Sequence, residues 1–222
     1  KSVVIANEHN ELKTKFIRNI SSQMEPTLNT LGTSAKELSA QAPRCAEQMQ
    51  AQVAALKQFS DNIQELSSLE NSLTEPYEMG EVNAGTFCES VMEKAKEFIK
   101  PDVTPSVNAP KLQVKTNKEQ LERILLYLLK NAAFYTEQGR ISLDFKKRGA
   151  HTHQFIITDT GTGIPAEQQE NLFKPFTQVK DLTTGDGLGL PICSLIATKM
   201  NGSLTLDTSY TKGCRFILEL HA

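Results

Sequence analysis

From residue 49 to residue 73, apolar side chains recur at steps of three and four, which is the spacing of one face of a long helix. This series consists of Met49, Val53, Leu56, Phe59, Ile63, Leu66, Leu69 and Leu73. An earlier series with the same spacing consists of Leu12, Phe16, Ile20, Met24, Leu28 and Leu31. The segment Gln41–Arg44 between them contains Pro43, which breaks helices. The pattern therefore predicts a helical hairpin over residues 1–75.

Two helices alone cannot bury two apolar stripes. We therefore expect the hairpin to pair with that of a second chain and form a four-helix bundle in a homodimer. The alternative, which the sequence leaves open, is that the hairpin packs on the rest of its own chain.

Residues 76–222 mix helices with strands, so the sequence predicts a second domain of α+β class, an α/β sandwich with helices on one face of a sheet. Predicted helices lie at Phe87–Lys100, Lys118–Thr136, Pro165–Phe173 and Leu188–Met200. Predicted strands lie at Lys111–Thr116, Arg140–Lys147, Gln154–Thr158, Ser203–Thr208 and Cys214–Leu220.

Composition excludes several classes of protein. The net charge of −2 over 222 residues gives no basic field, so we expect no nucleic-acid partner. The four cysteines form no C-x-x-C pair, which argues against a disulfide scaffold and a structural zinc site. The longest apolar run, Ile124–Leu129, is far shorter than the ~20 residues of a membrane span, and no signal peptide is recognisable. Because the chain begins at Lys1, we expect it to be a piece of a longer protein.

Two glycine clusters suggest an anion site. Asp159-Thr-Gly161-Thr-Gly163-Ile164 follows a predicted strand, and Gly185-Asp-Gly187-Leu188-Gly189-Leu190 precedes a predicted helix. Glycines let backbone N–H groups approach an anion, and a helix N-terminus adds a favourable dipole. Asp159 could accept a hydrogen bond from an adenine amino group. Each cluster alone is equally compatible with a simple turn.

The order of the motifs is more specific than either cluster. Asn131 on a helix, Asp159–Ile164, Leu172–Phe176 and Gly185–Leu190 follow one another as the N, first glycine, F and second glycine boxes of a known family. The chain thus resembles the catalytic core of sensor histidine kinases, a branch of the ATPases that include gyrase and a heat-shock chaperone. Residues 8–29 resemble the family's phosphoacceptor helix, the H box.

The resemblance implies a homodimer that binds Mg-ATP, phosphorylates a histidine on the hairpin and passes the phosphoryl group to a response-regulator receiver domain. It implies that Asn131 binds Mg²⁺, that Tyr135 stacks on adenine and that Asp159 receives the adenine amino group. The remaining implied nucleotide contacts are Gly161, Gly163, Ile164, Phe173, Phe176, Gly185, Gly187, Leu188, Gly189 and Leu190. It also implies the cytoplasmic portion of a membrane-anchored sensor, attached through a segment outside this chain.

The H box is altered at its reactive positions. The frame set by Phe16, Ser21 and Leu28 places Ser22 at the phosphoacceptor histidine and Gln23 at its acidic neighbour. Phosphorylation of an imidazole needs the nitrogen nucleophile and a carboxylate base, and neither residue supplies them. Glu25 is the nearest carboxylate. We therefore expect autophosphorylation to be absent or weak, and the sequence leaves open whether Ser22 is natural or engineered.

The N box is altered as well. Tyr127 replaces the family's first asparagine, and Phe134 replaces a phosphate-contacting lysine, for which Lys130 or Lys174 could compensate. The adenine side is thus retained and the phosphate side weakened. Two other functions stay open: a nucleotide-binding signalling module without turnover, and an ATPase of the gyrase or chaperone type. The F box and the short segment 177–184 argue against the latter.

Overall fold

A computed structural model of the chain describes residues 2–40, 42–175 and 187–221. In these residues the helices are α1 (Ser2–Glu37), α2 (Pro43–Asn71), α3 (Ala84–Ala95), α4 (Lys118–Tyr135), α5 (Ala166–Gln169) and α6 (Gly189–Lys199). The strands are β1 (Gly80–Asn83), β2 (Val103–Asn108), β3 (Gln113–Thr116), β4 (Gly139–Arg148), β5 (Thr152–Asp159), β6 (Gly202–Leu206) and β7 (Arg215–His221).

The predicted hairpin is confirmed: α1 packs along α2, and a short 3₁₀ turn (Leu38–Ala40) follows α1. Pro43 is the first residue of α2, where a missing N–H costs nothing. Leu28 on α1 and Leu66 and Leu69 on α2 are buried, whereas Leu31 remains 43% exposed. The side chains of Leu12, Phe16 and Ile20, which the first apolar series also includes, lie outside the described residues.

The mixed α/β architecture is also confirmed. Five strands form a sheet in the order β2-β4-β5-β7-β6, and β1 pairs with β3 in a separate two-stranded sheet. The pair β2–β4 is parallel and the other pairs of the large sheet are antiparallel. Helices α3 and α4 pack against this sheet. The sheet thus brings the end of β5 beside the start of β4 and the start of β7.

Helix α4 buries an apolar stripe against the sheet. Leu121, Ile124, Leu125, Leu128 and Leu129 are each at most 1% exposed, at the spacing that places them on one helix face. Removing any one of these side chains down to alanine costs about 2–5 kcal/mol in comparable cores. The helix is therefore a rigid support for the residues at its C-terminal end.

Strand β2 was not predicted from the sequence. It contains Pro105 at its centre and polar residues at alternate positions, which obscure the strand pattern. Proline is tolerated there because β2 is an edge strand with a ladder on one side only. The predicted helix Pro165–Phe173 is likewise shorter than expected, since α5 covers Ala166–Gln169 alone.

The chain divides into two compact units, one of residues 1–73 with 172–195 and one of residues 74–171 with 196–222. The boundary at 73/74 lies close to the predicted one, but the first unit also takes in residues 172–195. The predicted domains, 1–75 and 76–222, stay a prediction.

Candidate nucleotide site

Asp159 is the last residue of β5 and is almost fully buried, at 3% exposed. Successive strand residues point to opposite faces, so Asp159 follows Phe155 and Ile157 on the buried face of the sheet. The sequence therefore places a carboxylate where an apolar side chain would otherwise continue the core.

The two oxygens of the Asp159 carboxylate have different surroundings. Oδ1 accepts hydrogen bonds from the backbone N–H groups of Gly161, at 2.9 Å, and Cys214, at 3.1 Å. Among the described residues none donates to Oδ2. Burial raises the pKa of Asp159, and the two N–H groups act against that rise. The site thus holds one anchored oxygen and one that can accept a hydrogen bond from a ligand.

The first glycine cluster folds tightly against the end of α4. A Cβ on Gly161 would lie 2.4 Å from the carbonyl oxygen of Tyr135, and the N–H of Thr162 donates to that oxygen at 3.2 Å. Gly163 has φ +72°, a conformation that side chains rarely adopt. Gly161 is therefore required for the loop to approach α4, and Gly163 for its positive φ, which explains both glycines whether or not a nucleotide binds.

The C-terminal end of α4 presents two aromatic rings. Phe134 is 63% exposed and Tyr135 54% exposed, and their ring centroids lie 4.9 Å apart in an edge-to-face arrangement. Asn131 is partly exposed one turn earlier, on the same helix face as Tyr135. Lys100 pairs with Glu137 and donates to the carbonyl of Phe134 at 3.4 Å, so it caps the helix.

The second glycine cluster is described only in part. Gly187 has φ +69°, Leu188 is fully buried, and α6 begins at Gly189, with the N–H of Ile192 bonded to the carbonyl of Leu188 at 2.9 Å. Gly189 and Leu190 are partly exposed, as are Ile164 and Phe173. The predicted contacts Phe176 and Gly185 lie outside the described residues. The cluster belongs to the first compact unit, whereas Asp159 belongs to the second.

Several residues of the site were missed by sequence reasoning. Thr136 is fully buried, and its hydroxyl has no hydrogen-bond partner within the described part of the chain. That hydroxyl would lie 2.8 Å from a Cβ on Gly161. Cys214 contributes a backbone N–H, and Tyr210 donates its hydroxyl to the carbonyl of Asp159 at 3.2 Å. A backbone contact between distant strands leaves no signature in the sequence.

The H box lies on α1, where Ser22 is exposed and Ser21 is buried. Glu25 is exposed and, at three residues' distance, lies on the same side of the helix as Ser22. The side chain of Gln23 lies outside the described residues.

The donor set fits a Mg²⁺ ion that arrives with a nucleotide better than a resident metal. No cluster of three or more His, Cys, Asp or Glu side chains suited to a metal occurs in residues 2–40, 42–175 and 187–221. Mg²⁺ usually keeps several waters and binds phosphate oxygens with one or two protein ligands. The single amide of Asn131 is compatible with that mode.

None of the described helices is both long enough and apolar enough to cross a bilayer.

Comparison with known proteins places these observations in a family. Residues 116–222 match the family "Histidine kinase-, DNA gyrase B-, and HSP90-like ATPase". The aerobic respiration control sensor protein ArcB of Escherichia coli K12 is 25% identical over 95% of this chain and 29% of its own length. The sensor histidine kinase RcsC of Salmonella typhimurium is 34% identical over 55% of this chain and 13% of its own length. The chain thus spans less than a third of these relatives.

Solved structures show the same fold. Full-length ShkA, in complex with AMPPNP, superposes with a TM-score of 0.75 at 20% identity and covers 94% of this chain and 46% of its own. The Acinetobacter baumannii histidine kinase AdeS gives 0.68 at 19% identity, covering 89% of this chain and 96% of its own. Residues 116–222 therefore belong to the histidine kinase-, DNA gyrase B- and HSP90-like ATPase family, and they follow a helical hairpin in a chain whose relatives are sensor histidine kinases.

Proposed function

We propose that the chain is the Mg-ATP-binding core of a two-component sensor histidine kinase that acts as a homodimer and signals to a response-regulator receiver domain. In this proposal Ser22 occupies the phosphoacceptor position. The observation that carries the proposal is the buried carboxylate of Asp159, with Oδ1 held by two N–H groups and no described donor on Oδ2.

The proposed roles follow from the chemistry of each group. Oδ2 of Asp159 accepts a hydrogen bond from the adenine amino group, and the exposed ring of Tyr135 stacks on the base. Asn131 offers its amide oxygen to Mg²⁺. Backbone N–H groups at Gly187, Gly189 and the N-terminus of α6 are suited to bind an anion such as phosphate. Bound ATP would supply the γ-phosphoryl group for transfer.

The same site is weakened on its phosphate side. Phe134 stands where the family has a phosphate-contacting lysine, and its ring is exposed. Losing one cation contact to a triphosphate costs about 1–3 kcal/mol, which binding tolerates better than phosphoryl transfer does. This favours a second candidate function, a signalling module that binds nucleotide without turnover. In both cases we expect self-phosphorylation to be absent or weak.

Isothermal titration calorimetry of Asp159→Asn with AMPPNP and Mg²⁺ tests the proposal. Asparagine retains Oδ1 for the two N–H groups but presents an NH₂ group to the adenine amino group, so donor faces donor. We expect the affinity to fall about tenfold to a hundredfold.

The matched control is Asp144→Asn. Asp144 lies in the same compact unit, on β4, and accepts a hydrogen bond from Ser142 at 2.7 Å. Its affinity for AMPPNP should equal that of the unmodified chain. Equal affinities for all three proteins would show that Asp159 does not bind the base.

A further inference from the structure

Asp159 is contacted by the turn between β6 and β7 at three of its atoms. Its N–H donates to the carbonyl of Cys214 at 2.9 Å, its Oδ1 accepts from the N–H of Cys214, and its carbonyl accepts from the hydroxyl of Tyr210 at 3.2 Å. A Cβ on Gly213 would lie 2.1 Å from the Asp159 carbonyl oxygen, so the turn is pressed against the strand end. We call residues 207–215 the clamp.

Within the clamp, Tyr210 is held in place from its ring face. The guanidinium carbon of Arg215 lies 4.2 Å from the centroid of the Tyr210 ring. Arg215 also pairs with Asp207, Nη1 to Oδ2 at 3.2 Å, and donates from Nε to the hydroxyl of Thr158 at 3.2 Å. The guanidinium group of Arg215 is thereby held through Nε and Nη1. It lies over the face of the Tyr210 ring and stabilises the position of that ring.

Asp207 completes the arrangement. Its N–H donates to the carbonyl of Arg215 at 2.8 Å, and its carbonyl accepts from the N–H of Tyr210 at 3.2 Å. Its carboxylate accepts from the N–H of Ser209 at 3.0 Å and from the Ser209 hydroxyl. The Ser209 hydroxyl is the main reason why the pKa of Asp207 lies below its usual range. Asp207 is therefore ionised at neutral pH and available to pair with Arg215.

A hydrogen bond at the Asp159 carbonyl restrains the peptide plane that leads to Thr160 and Gly161. The other side of that peptide is held as well, because the N–H of Thr160 donates to the carbonyl of Arg140 at 3.2 Å. The N–H of Gly161 belongs to the next peptide along the chain and is one of the two groups that hold Oδ1, so the orientation of the first peptide influences where that N–H lies and where Oδ2 points. Hydrogen bonds weaken steeply when their angle departs from linear, and a small rotation here would misalign Oδ2 with a ligand donor.

We propose that Tyr210, supported by Arg215 and Asp207, is a positioning residue that aims the Asp159 carboxylate at the amino group of the bound base and thereby sets the preference for adenine. The proposal rests on the function proposed above, because it assumes that Asp159 receives the base.

The test compares two ligands on the full chain, ATP and inosine triphosphate, each with Mg²⁺ and measured by calorimetry. Inosine carries an oxygen in place of the adenine amino group, so it cannot make the hydrogen bond from the amino group to Oδ2. In Tyr210→Phe, which removes only the hydroxyl, we expect the affinity for ATP to fall about three- to tenfold. The affinity for inosine triphosphate should stay within about twofold, since no aligned donor is lost.

Tyr77→Phe is the matched control. Tyr77 lies in the same compact unit and also has a cation over its ring, Lys199 at 4.7 Å from the centroid. This variant should retain both affinities. A second variant, Arg215→Lys, keeps the charge but loses the planar fork, and we expect a smaller loss of ATP affinity with inosine triphosphate again unchanged. If Tyr210→Phe does not fold, the ATP and inosine triphosphate affinities of Arg215→Lys test the proposal instead.

Three outcomes would overturn the proposal. If Tyr210→Phe binds ATP as tightly as the unmodified chain, the hydroxyl does not position Asp159. If both ligands weaken equally, Tyr210 supports the fold and not the base preference. If the unmodified chain binds ATP and inosine triphosphate with equal affinity, it has no preference for adenine, and Tyr210 cannot determine one. Failure of the unmodified chain to bind either ligand refutes the proposed function itself.

Discussion

Asp159 reduces stability at neutral pH because its charge is buried. Burial raises the pKa of its carboxyl in the folded chain, and the N–H groups of Gly161 and Cys214 only partly offset this. A raised pKa means that the folded state binds the proton more tightly than the unfolded state does. The protonated carboxyl therefore contributes to the free energy of unfolding fully below the unfolded pKa, near 3.8. This contribution is lost as the pH rises through the folded pKa.

This predicts that Asp159→Asn does not destabilise the chain at pH 7 when no nucleotide is present. Asparagine keeps the Oδ1 acceptor and removes the buried charge, so its melting temperature should equal or exceed that of the unmodified chain. The difference should shrink as the pH falls toward 4, where the aspartate becomes protonated. Thermal unfolding followed by circular dichroism from pH 4 to 8 measures this. A variant that melts lower at every pH would show that the carboxylate stabilises the fold.

At the residue scale, the sequence identified the carboxylate but not the groups that hold it. Asp159 followed by two glycines after an apolar strand is a recognisable pattern. Its partner Cys214 acts through a backbone N–H, and the contact depends on the register that places Thr158 opposite Arg215. Strand register between residues so far apart in the chain cannot be read from local spacing.

At the scale of elements, α4 is fixed at its N-terminal end by Asn117. Oδ1 of Asn117 accepts from the N–H of Gln120 at 2.9 Å, which caps the helix, and Nδ2 donates to the carbonyl of Glu78 at 2.9 Å. The same side chain thus begins the helix that bears Asn131 and Tyr135 and ties down the segment before β1.

We predict that Asn117→Ala lowers the free energy of unfolding by about 1–2 kcal/mol, since both bonds are lost. Asn117→Asp keeps the cap but lacks the Nδ2 donor, so about half of that loss should remain. Asn83→Ala is the matched control, because Asn83 caps α3 through Thr86. It should cost ~1 kcal/mol. Urea unfolding gives all three values, and a harmless Asn117→Ala would contradict the capping role.

The sequence predicts those elements whose apolar residues repeat at a regular spacing within the element itself. The hairpin and α4 have apolar residues at helical spacing, and β4 alternates Ile141, Leu143 and Phe145 inward with polar residues outward. The sequence does not predict strand β2, because Val-Thr-Pro-Ser-Val-Asn has a central proline and little strand propensity. The strand is formed by its parallel pairing with β4 at the edge of the sheet. Edge position, which only the assembled sheet defines, decides such a case.

At the scale of the whole molecule, the hairpin is expected to be the dimer interface. Leu31 and Leu38 remain 43% and 40% exposed, and two helices do not bury two stripes by themselves. Sedimentation velocity should give a dimer for the full chain and a monomer for Leu31→Glu, Leu38→Glu, because a charge at each position opposes burial in a bundle. A monomeric full chain would instead favour packing of the hairpin on its own chain.

Ser22 is chemically poorly suited to accept a phosphoryl group. A serine hydroxyl has a pKa far above neutral, and Gln23 cannot take up a proton. Glu25, three residues further on, is the carboxylate nearest to Ser22 in the sequence. We therefore predict no acid-labile, base-stable phosphoryl group on the chain after incubation with γ-labelled ATP and Mg²⁺.

Restoring the missing groups in steps tests how far the chain has diverged. Ser22→His alone should recover little labelling, because Gln23 still provides no base and Phe134 still provides no phosphate contact. Ser22→His with Gln23→Glu should recover more, and adding Phe134→Lys more again, since each step returns one part of the transfer machinery. A receiver domain in the assay separates self-phosphorylation from transfer. Strong labelling from Ser22→His alone would mean that Tyr127, Phe134 and Gln23 are compatible with catalysis and that a single residue silences the chain.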